Sequence, residues 1–172
     1  SLPGKVKEAA DEESLLVFVD DQGYGSRLVE RLQDAGSKIV TVQAGDTFEQ
    51  LDTERYVIDT SSPEDYVKLV NSVAANGNFQ KTILHCWGVS KTDEYSQQQI
   101  NSQLSFIYFA QGLIAGRIQS EFVFLALTDC REQVMPGEKI NCLQSLITGP
   151  QNVIPYEFPT VRFYTLDLEA TQ

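Results

Sequence analysis

Leu15-Leu16-Val17-Phe18-Val19-Asp20-Asp21-Gln22-Gly23-Tyr24-Gly25 is the stretch that decides the fold. Five consecutive apolar residues suit a strand covered on both faces, where neither row of side chains meets water. Asp20-Asp21 ends the run, and Gly23 and Gly25 make a turn. Leu28, Val29, Leu32 and Ala35 then recur at helical spacing, with Gly36 where a helix C-terminus expects it. Residues 38–43, with Ile39, Val40 and Val42, predict a second short strand. Strand, helix and strand in that order imply a parallel pair joined by a right-handed crossover.

Working outward, Gly45-Asp46 breaks the pattern, and residues 55–59 predict a short strand, hairpin-like with the segment around Phe48. Ser61-Ser62-Pro63-Glu64-Asp65 has the marks of a helix start: a serine cap, proline in the first turn and acids at the positive end of the dipole. That helix runs through Tyr66, Leu69, Val70 and Val73 towards Gly77. Residues 82–87 and 121–127 predict buried strands on either side of a long helix over 93–117, whose Ile100, Leu104, Ile107, Tyr108, Leu113 and Ile114 share its spacing. A shorter helix over 140–147, stopped by Gly149-Pro150, and an alternating strand over 161–168 complete the order. The prediction is α/β: a truncated Rossmann-like open parallel sheet with helices on both faces. No repeat or interior linker divides it. Residues 1–13 read as an N-terminal linker or remnant and 14–172 as one domain.

The 172 residues carry 24 Asp and Glu against 13 Lys and Arg, a formal charge of −11. A phosphate backbone is repelled by such a surface, so nucleic acid is not an expected partner. No apolar stretch approaches the roughly 18–20 residues of a membrane span, and the first 13 residues lack an apolar signal core. No membrane association is expected; a soluble, cytoplasmic protein is. Cys86, Cys130 and Cys142 form no CxxC pair, and His85 is the only histidine. The expectation is no metal site and three reduced, mostly buried thiols.

A Rossmann-like order raises the question of a nicotinamide cofactor. Pyrophosphate binding needs a glycine turn whose backbone N–H groups reach the ligand at a helix N-terminus. Gly23 and Gly25 supply two of the three glycines, but Leu28 stands at the third position, and two carboxylates precede the turn. The turn is degenerate, and no cofactor-binding residue is assigned. Short-chain reductase chemistry needs a tyrosine acid with lysine four residues on. Tyr24, Tyr56, Tyr66, Tyr95, Tyr108, Tyr156 and Tyr164 are followed at that distance by Leu28, Thr60, Val70, Gln99, Gly112, Thr160 and Leu168. No GxSxG, Walker A or HExxH motif occurs either. Asp20-Asp21 reads as a solvated turn, His85-Cys86 as packed core, and Trp87 with the other aromatics as core rather than stacking platforms. No catalytic, cofactor or metal residue is expected.

Specific residues then carry a family resemblance. Val17-Phe18-Val19-Asp20-Asp21-Gln22-Gly23-Tyr24-Gly25, Ala44-Gly45-Asp46-Thr47-Phe48, Ser61-Ser62-Pro63-Glu64-Asp65-Tyr66, His85-Cys86-Trp87 and the segment from Gly149 through Pro159 to Leu168 occur in that order. Together they resemble the structural subdomain of modular polyketide synthase ketoreductases over about residues 14–169. The resemblance implies a pseudo-Rossmann domain without cofactor or catalytic residues, bracing adjacent domains of the same polyketide synthase chain: a catalytic ketoreductase, methyltransferase or enoylreductase. The resemblance fits either a piece of a complete ketoreductase or a parent module that holds only this structural half.

Three functions compete. A scaffold exposes an apolar patch that its neighbour covers. A minor NADPH-dependent reductase needs cofactor affinity and an unfamiliar acid such as Tyr95 or Tyr108. A small-molecule-binding Rossmann-like module would use the strand ends: Asp20 to Gly25, Gln43 to Asp46, Trp87 to Ser90, and Thr128-Asp129.

Overall fold

In a computed structural model, residues 14–77, 80–89, 94–133, 137 and 140–168 are described; the expected linker at 1–13 lies outside them. Strand β1 (Ser14–Val19) is central, and all but its first residue is buried. It pairs in parallel with β2 (Lys38–Gly45) on one side and β5 (Thr82–His85) on the other. The seven strands lie in the order β3-β4-β2-β1-β5-β6-β7, with β6 at Phe122–Asp129 and β7 at Val161–Leu168. Among the described strands only β3 (Glu49–Gln50) is antiparallel, closing the expected hairpin with β4 (Arg55–Asp59) next to Phe48. The chain leaves β1 for β2 in one direction and later fills β5 in the other, which makes the β1/β5 boundary the switch point of the sheet.

Helices cover both faces unequally. Helix α1 (Tyr24–Asp34) packs on Leu15, Val17, Val19, Ile39 and Leu84. Gly36, at φ +91°, ends it, as Gly36 N donates to Gln33 O and Ser37 N to Leu32 O. On the other face, α2 (Pro63–Ala75) and α4 (Ser105–Ala115) bury Phe18, Val42, Ile58, Ile83 and Phe124. These two helices approach closely because Gly112 and Gly116 face α2. A Cβ at Gly112 would stand 3.0 Å from Tyr66 O, and one at Gly116 3.0 Å from Val70 Cγ1.

Several expectations need correction. Ser62 is the N-cap of α2, yet its hydroxyl bonds Glu64 Oε2 at 3.3 Å instead of capping the backbone. Strand β5 ends at His85, and Trp87 opens a 3-10 turn, Trp87–Val89. The long helix breaks into α3 (Tyr95–Gln99), a π turn (Ile100–Leu104) and α4; the expected start at Asp93 falls outside the described residues. The shorter helix over 140–147 is a 3-10 turn at Cys142–Ile147 that runs directly into α5 (Thr148–Glu157). Gly149-Pro150 therefore begins a helix instead of stopping one. Proline is at home in a first turn, where its missing N–H has no intrahelical partner to lose. Of the thiols only Cys86 is buried; Cys130 is half-buried and Cys142 exposed, and no disulfide joins them.

Candidate functional site

The carboxyl ends of β1, β2 and β5 border a cleft of about 460 Å³ lined by Val19, Asp20, Asp21, Ser26, Gln43, Ala44, Trp87, Gln97 and Asn101. It lies at the switch point, where open α/β sheets hold ligands. One wall is the turn into α1. Asp20 leaves β1 and folds back: Oδ2 accepts from Gln22 N (2.9 Å) and Tyr24 N (3.1 Å), and Oδ1 from Gly25 N (2.5 Å). Gly23, at φ +81°, reverses the chain. Gly25 brings the helix start onto the sheet, since a Cβ there would stand 3.0 Å from Asp20 Oδ1 and 3.2 Å from Val19 Cα. Close packing thus occurs at Gly25, while Leu28 is half-buried against the α1 side of the sheet.

The two acids part company. Asp21 is exposed, as expected of a solvated turn, but Asp20 is only 6% exposed and points into the helix start. Beneath it, burial and then the Asp20 charge push the Cys86 thiol up to about 12, so it stays protonated and inert.

On the opposite wall Trp87 is buried edge-on to Phe18, and its Nε1–H donates to Val19 O at 2.9 Å. The indole is tied to the end of β1, so it is core, as its apolar run predicts. Gly88 follows because there is no room: a Cβ would come within 2.2 Å of Leu127 O. His85 lies deeper, against Phe106 (ring centroids 4.1 Å), Phe18 and Trp87, with Nε2 3.0 Å from Ser105 Oγ. Burial lowers its pKa to about 3, so the imidazole is neutral at ordinary pH and unsuited to proton transfer.

The cleft gathers some of the strand-end residues named from the sequence and not others. Asp20, Asp21, Gln43, Ala44 and Trp87 line it. Thr128 does not; its hydroxyl donates to Asp167 Oδ1 at 2.8 Å, and Asp167 also accepts from Arg131 N and Glu132 N, both at 2.9 Å. Ser90 lies outside the described residues. Tyr95 is exposed and Tyr108 packs edge-on against Tyr66, so neither candidate acid borders the cleft. Gln97 and Asn101, joined by a Gln97 Nε2 to Asn101 Oδ1 bond of 2.9 Å, were missed. Their only signal is a polar pair four residues apart on a helix, which marks any exposed face equally well. Among the described residues no group of three His, Cys, Asp or Glu could hold a metal ion. No described helix is long and apolar enough to cross a membrane.

A second feature lies on the α4/α5 side. Ile107, Ala110, Ile114, Val153, Ile154 and Phe158 line an apolar groove of about 340 Å³. Ile114 is 63% and Val153 56% exposed. Reading Gly149-Pro150 as a stop hid this groove, because its second wall is the unforeseen α5.

Residues 13–140 match the family model described as beta-ketoacyl synthase-like, N-terminal. The chain belongs to that family. No curated protein matches this beta-ketoacyl synthase-like chain by sequence. Among solved structures it is similar to the adenylation, ketoreductase and pseudo Asub multidomain structure of a keto acid-selecting NRPS module, at 19% identity and TM-score 0.80 over 96% of this chain and 14% of that one. An N-terminal ketoreductase from the macrolactin assembly line gives 19% identity and TM-score 0.70 over 98% of this chain and 34% of that one. A Brucella ovis short-chain dehydrogenase/reductase in complex with a partially ordered NAD gives 17% and 0.69, over 94% and 85%. The Rossmann-like fold and the resemblance to ketoreductase structures therefore stand. This chain spans about a seventh and a third of the first two chains it matches.

Proposed function

We propose that this beta-ketoacyl synthase-like chain is a non-catalytic, pseudo-Rossmann subdomain of a polyketide synthase-type assembly, bracing a neighbouring domain of the same polypeptide. The observation that carries the reading is Asp20: its carboxylate takes the N–H groups of Tyr24 and Gly25, where a dinucleotide would place its pyrophosphate. A bound pyrophosphate would have to displace that anion and lie beside the Asp21 charge. The absence of a tyrosine with a lysine partner points the same way. The exposed apolar groove between α4 and α5 is a patch of the kind that a braced neighbour would cover. A catalytic ketoreductase, methyltransferase or enoylreductase domain is the neighbour the resemblance implies.

Titration of the folded domain with NADPH and NADH, followed by nicotinamide fluorescence and Trp87 emission, tests the reading. We expect no saturation up to about millimolar cofactor, the weak end of biological affinity. Micromolar binding of either would overturn the proposal. The cleft itself favours one other reading, a small-molecule-binding module using Gln43, Gln97 and Asn101. A ligand that quenches Trp87, with both nicotinamides silent, would turn the assignment to that reading.

A further inference from the structure

The π turn Ile100–Leu104 carries Asn101, which is only 7% exposed and lines the strand-end cleft. Turns of this kind interrupt helices frequently at functional sites. Asn101 Oδ1 accepts from Gln97 Nε2 at 2.9 Å, while Asn101 Nδ2 has no hydrogen-bond partner among the described residues. Gln97 spends both hydrogens of Nε2, on Asn101 Oδ1 and on Thr60 Oγ1 at 3.4 Å, which leaves its Oε1 unspent. A donor as deeply buried as Asn101 Nδ2 is costly to leave unmet, and the cleft is the side from which a partner reaches it.

The rest of the lining sets the charge of the occupant. Gln43, near the end of β2, adds a third amide, and Ser26 a hydroxyl. The charged residues of the lining are Asp20 and Asp21, with no lysine, arginine or histidine among them. An entering anion would meet two carboxylates and no counter-charge. Asp20 is committed to three backbone N–H groups, and Asp21 is turned to solvent. The unspent hydrogen-bonding capacity inside the cleft therefore belongs to neutral amides.

We infer that the strand-end cleft binds an uncharged, carboxamide-bearing small molecule, whose C=O accepts from Asn101 Nδ2 and whose N–H donates to Gln97 Oε1. The inference rests on the reading that the native turn takes no dinucleotide. Val19, Ala44 and Trp87 supply apolar lining for the body of such a molecule. The volume of about 460 Å³ lies within the ordinary range of small-molecule sites, which pair apolar walls with a few placed polar groups.

NMR titration of the nitrogen-15-labelled chain with benzamide, and with benzoate as its isosteric anion, tests this. Benzamide should move the Asn101 side-chain amide and Trp87 Nε1–H resonances saturably, with a Kd on the order of 1 mM for so small a probe. Benzoate should bind about tenfold more weakly or not at all, because Asp21 repels it. Asn101→Asp keeps the acceptor for Gln97 Nε2 and removes the Nδ2 donor, so it should weaken benzamide binding about tenfold. If that variant does not fold, Gln97→Met decides, since it removes the Oε1 acceptor from a half-buried position. A loss of about threefold or more in affinity supports the inference, and unchanged affinity overturns it. Asn101 resonances unmoved by benzamide up to about 20 mM, or moved equally by benzoate, would also overturn it. NADPH binding by the unaltered chain would instead overturn the proposed function, so the two failures are told apart.

Discussion

At the scale of single residues, adjacent positions with the same chemistry have opposite fates. Asp20 and Asp21 are indistinguishable as letters, yet one is buried under three backbone donors and the other meets water. Which acid turns inward depends on where the α1 N–H groups point, and pattern reading does not supply that. His85 is the opposite case: an apolar run around it predicted a packed histidine, and it is one. The pKa difference has a sign. The native imidazole titrates near 3 and the unfolded one near 6.5, so between these values the unfolded chain binds a proton that the native chain refuses. Stability attributable to His85 is therefore unaffected above pH 6.5. It falls by about 1.4 kcal/mol per unit as pH drops towards 3, on the order of 4–5 kcal/mol in all. Urea unfolding of the unaltered chain and of His85→Gln across pH 3–7 checks this. The stability difference between them should shift in favour of the variant as pH falls.

At the scale of elements, helix ends carry the informative surprises. Helix α4 ends on Gly116 and then Arg117, which adopts φ +53° while Arg117 N donates to Ile114 O and Ile118 N to Leu113 O. This is the same closure that Gly36 gives α1, made with a side chain that pays for the left-handed backbone. Arg117→Gly should accordingly stabilise the domain by about 0.5–1 kcal/mol, read as a raised urea midpoint with unchanged slope. Unchanged or lower stability would mean that the arginine stem has compensating contacts. The π turn Ile100–Leu104 lies just before α4 and presents buried Asn101 and Ser102. Its apolar spacing was legible as helix, but the extra residue per turn was not, because it changes neither composition nor the identity of the apolar positions.

At the scale of the whole molecule, the strand-end cleft and the α4/α5 groove lie at different places. If the groove is the bracing surface, Ile114→Glu with Val153→Glu should leave folding of the isolated chain within about 1 kcal/mol, since both side chains are largely exposed. In the intact polypeptide the same pair should loosen the neighbouring domain, seen as faster limited proteolysis between the two. Proteolysis unchanged in the intact polypeptide would move the bracing surface elsewhere.

The amino-acid sequence alone determined the α/β class, the order of the strands, the parallel central sheet and the leucine at the third position of the Gly23/Gly25 turn. These follow from local runs and periodicities, which carry their meaning within a few residues. Tertiary structure decided the rest. It set the long-range partners: Trp87 bonded to Val19, Thr128 turned to Asp167, and Gln97 and Asn101 brought to the ends of β1 and β2. It also decided that Gly149-Pro150 opens a helix, because proline suits a first turn as well as a stop, and only packing against α4 selects between them. And it turned one of two neighbouring carboxylates into the anion of α1, since burial and hydrogen-bond direction are properties of the folded chain.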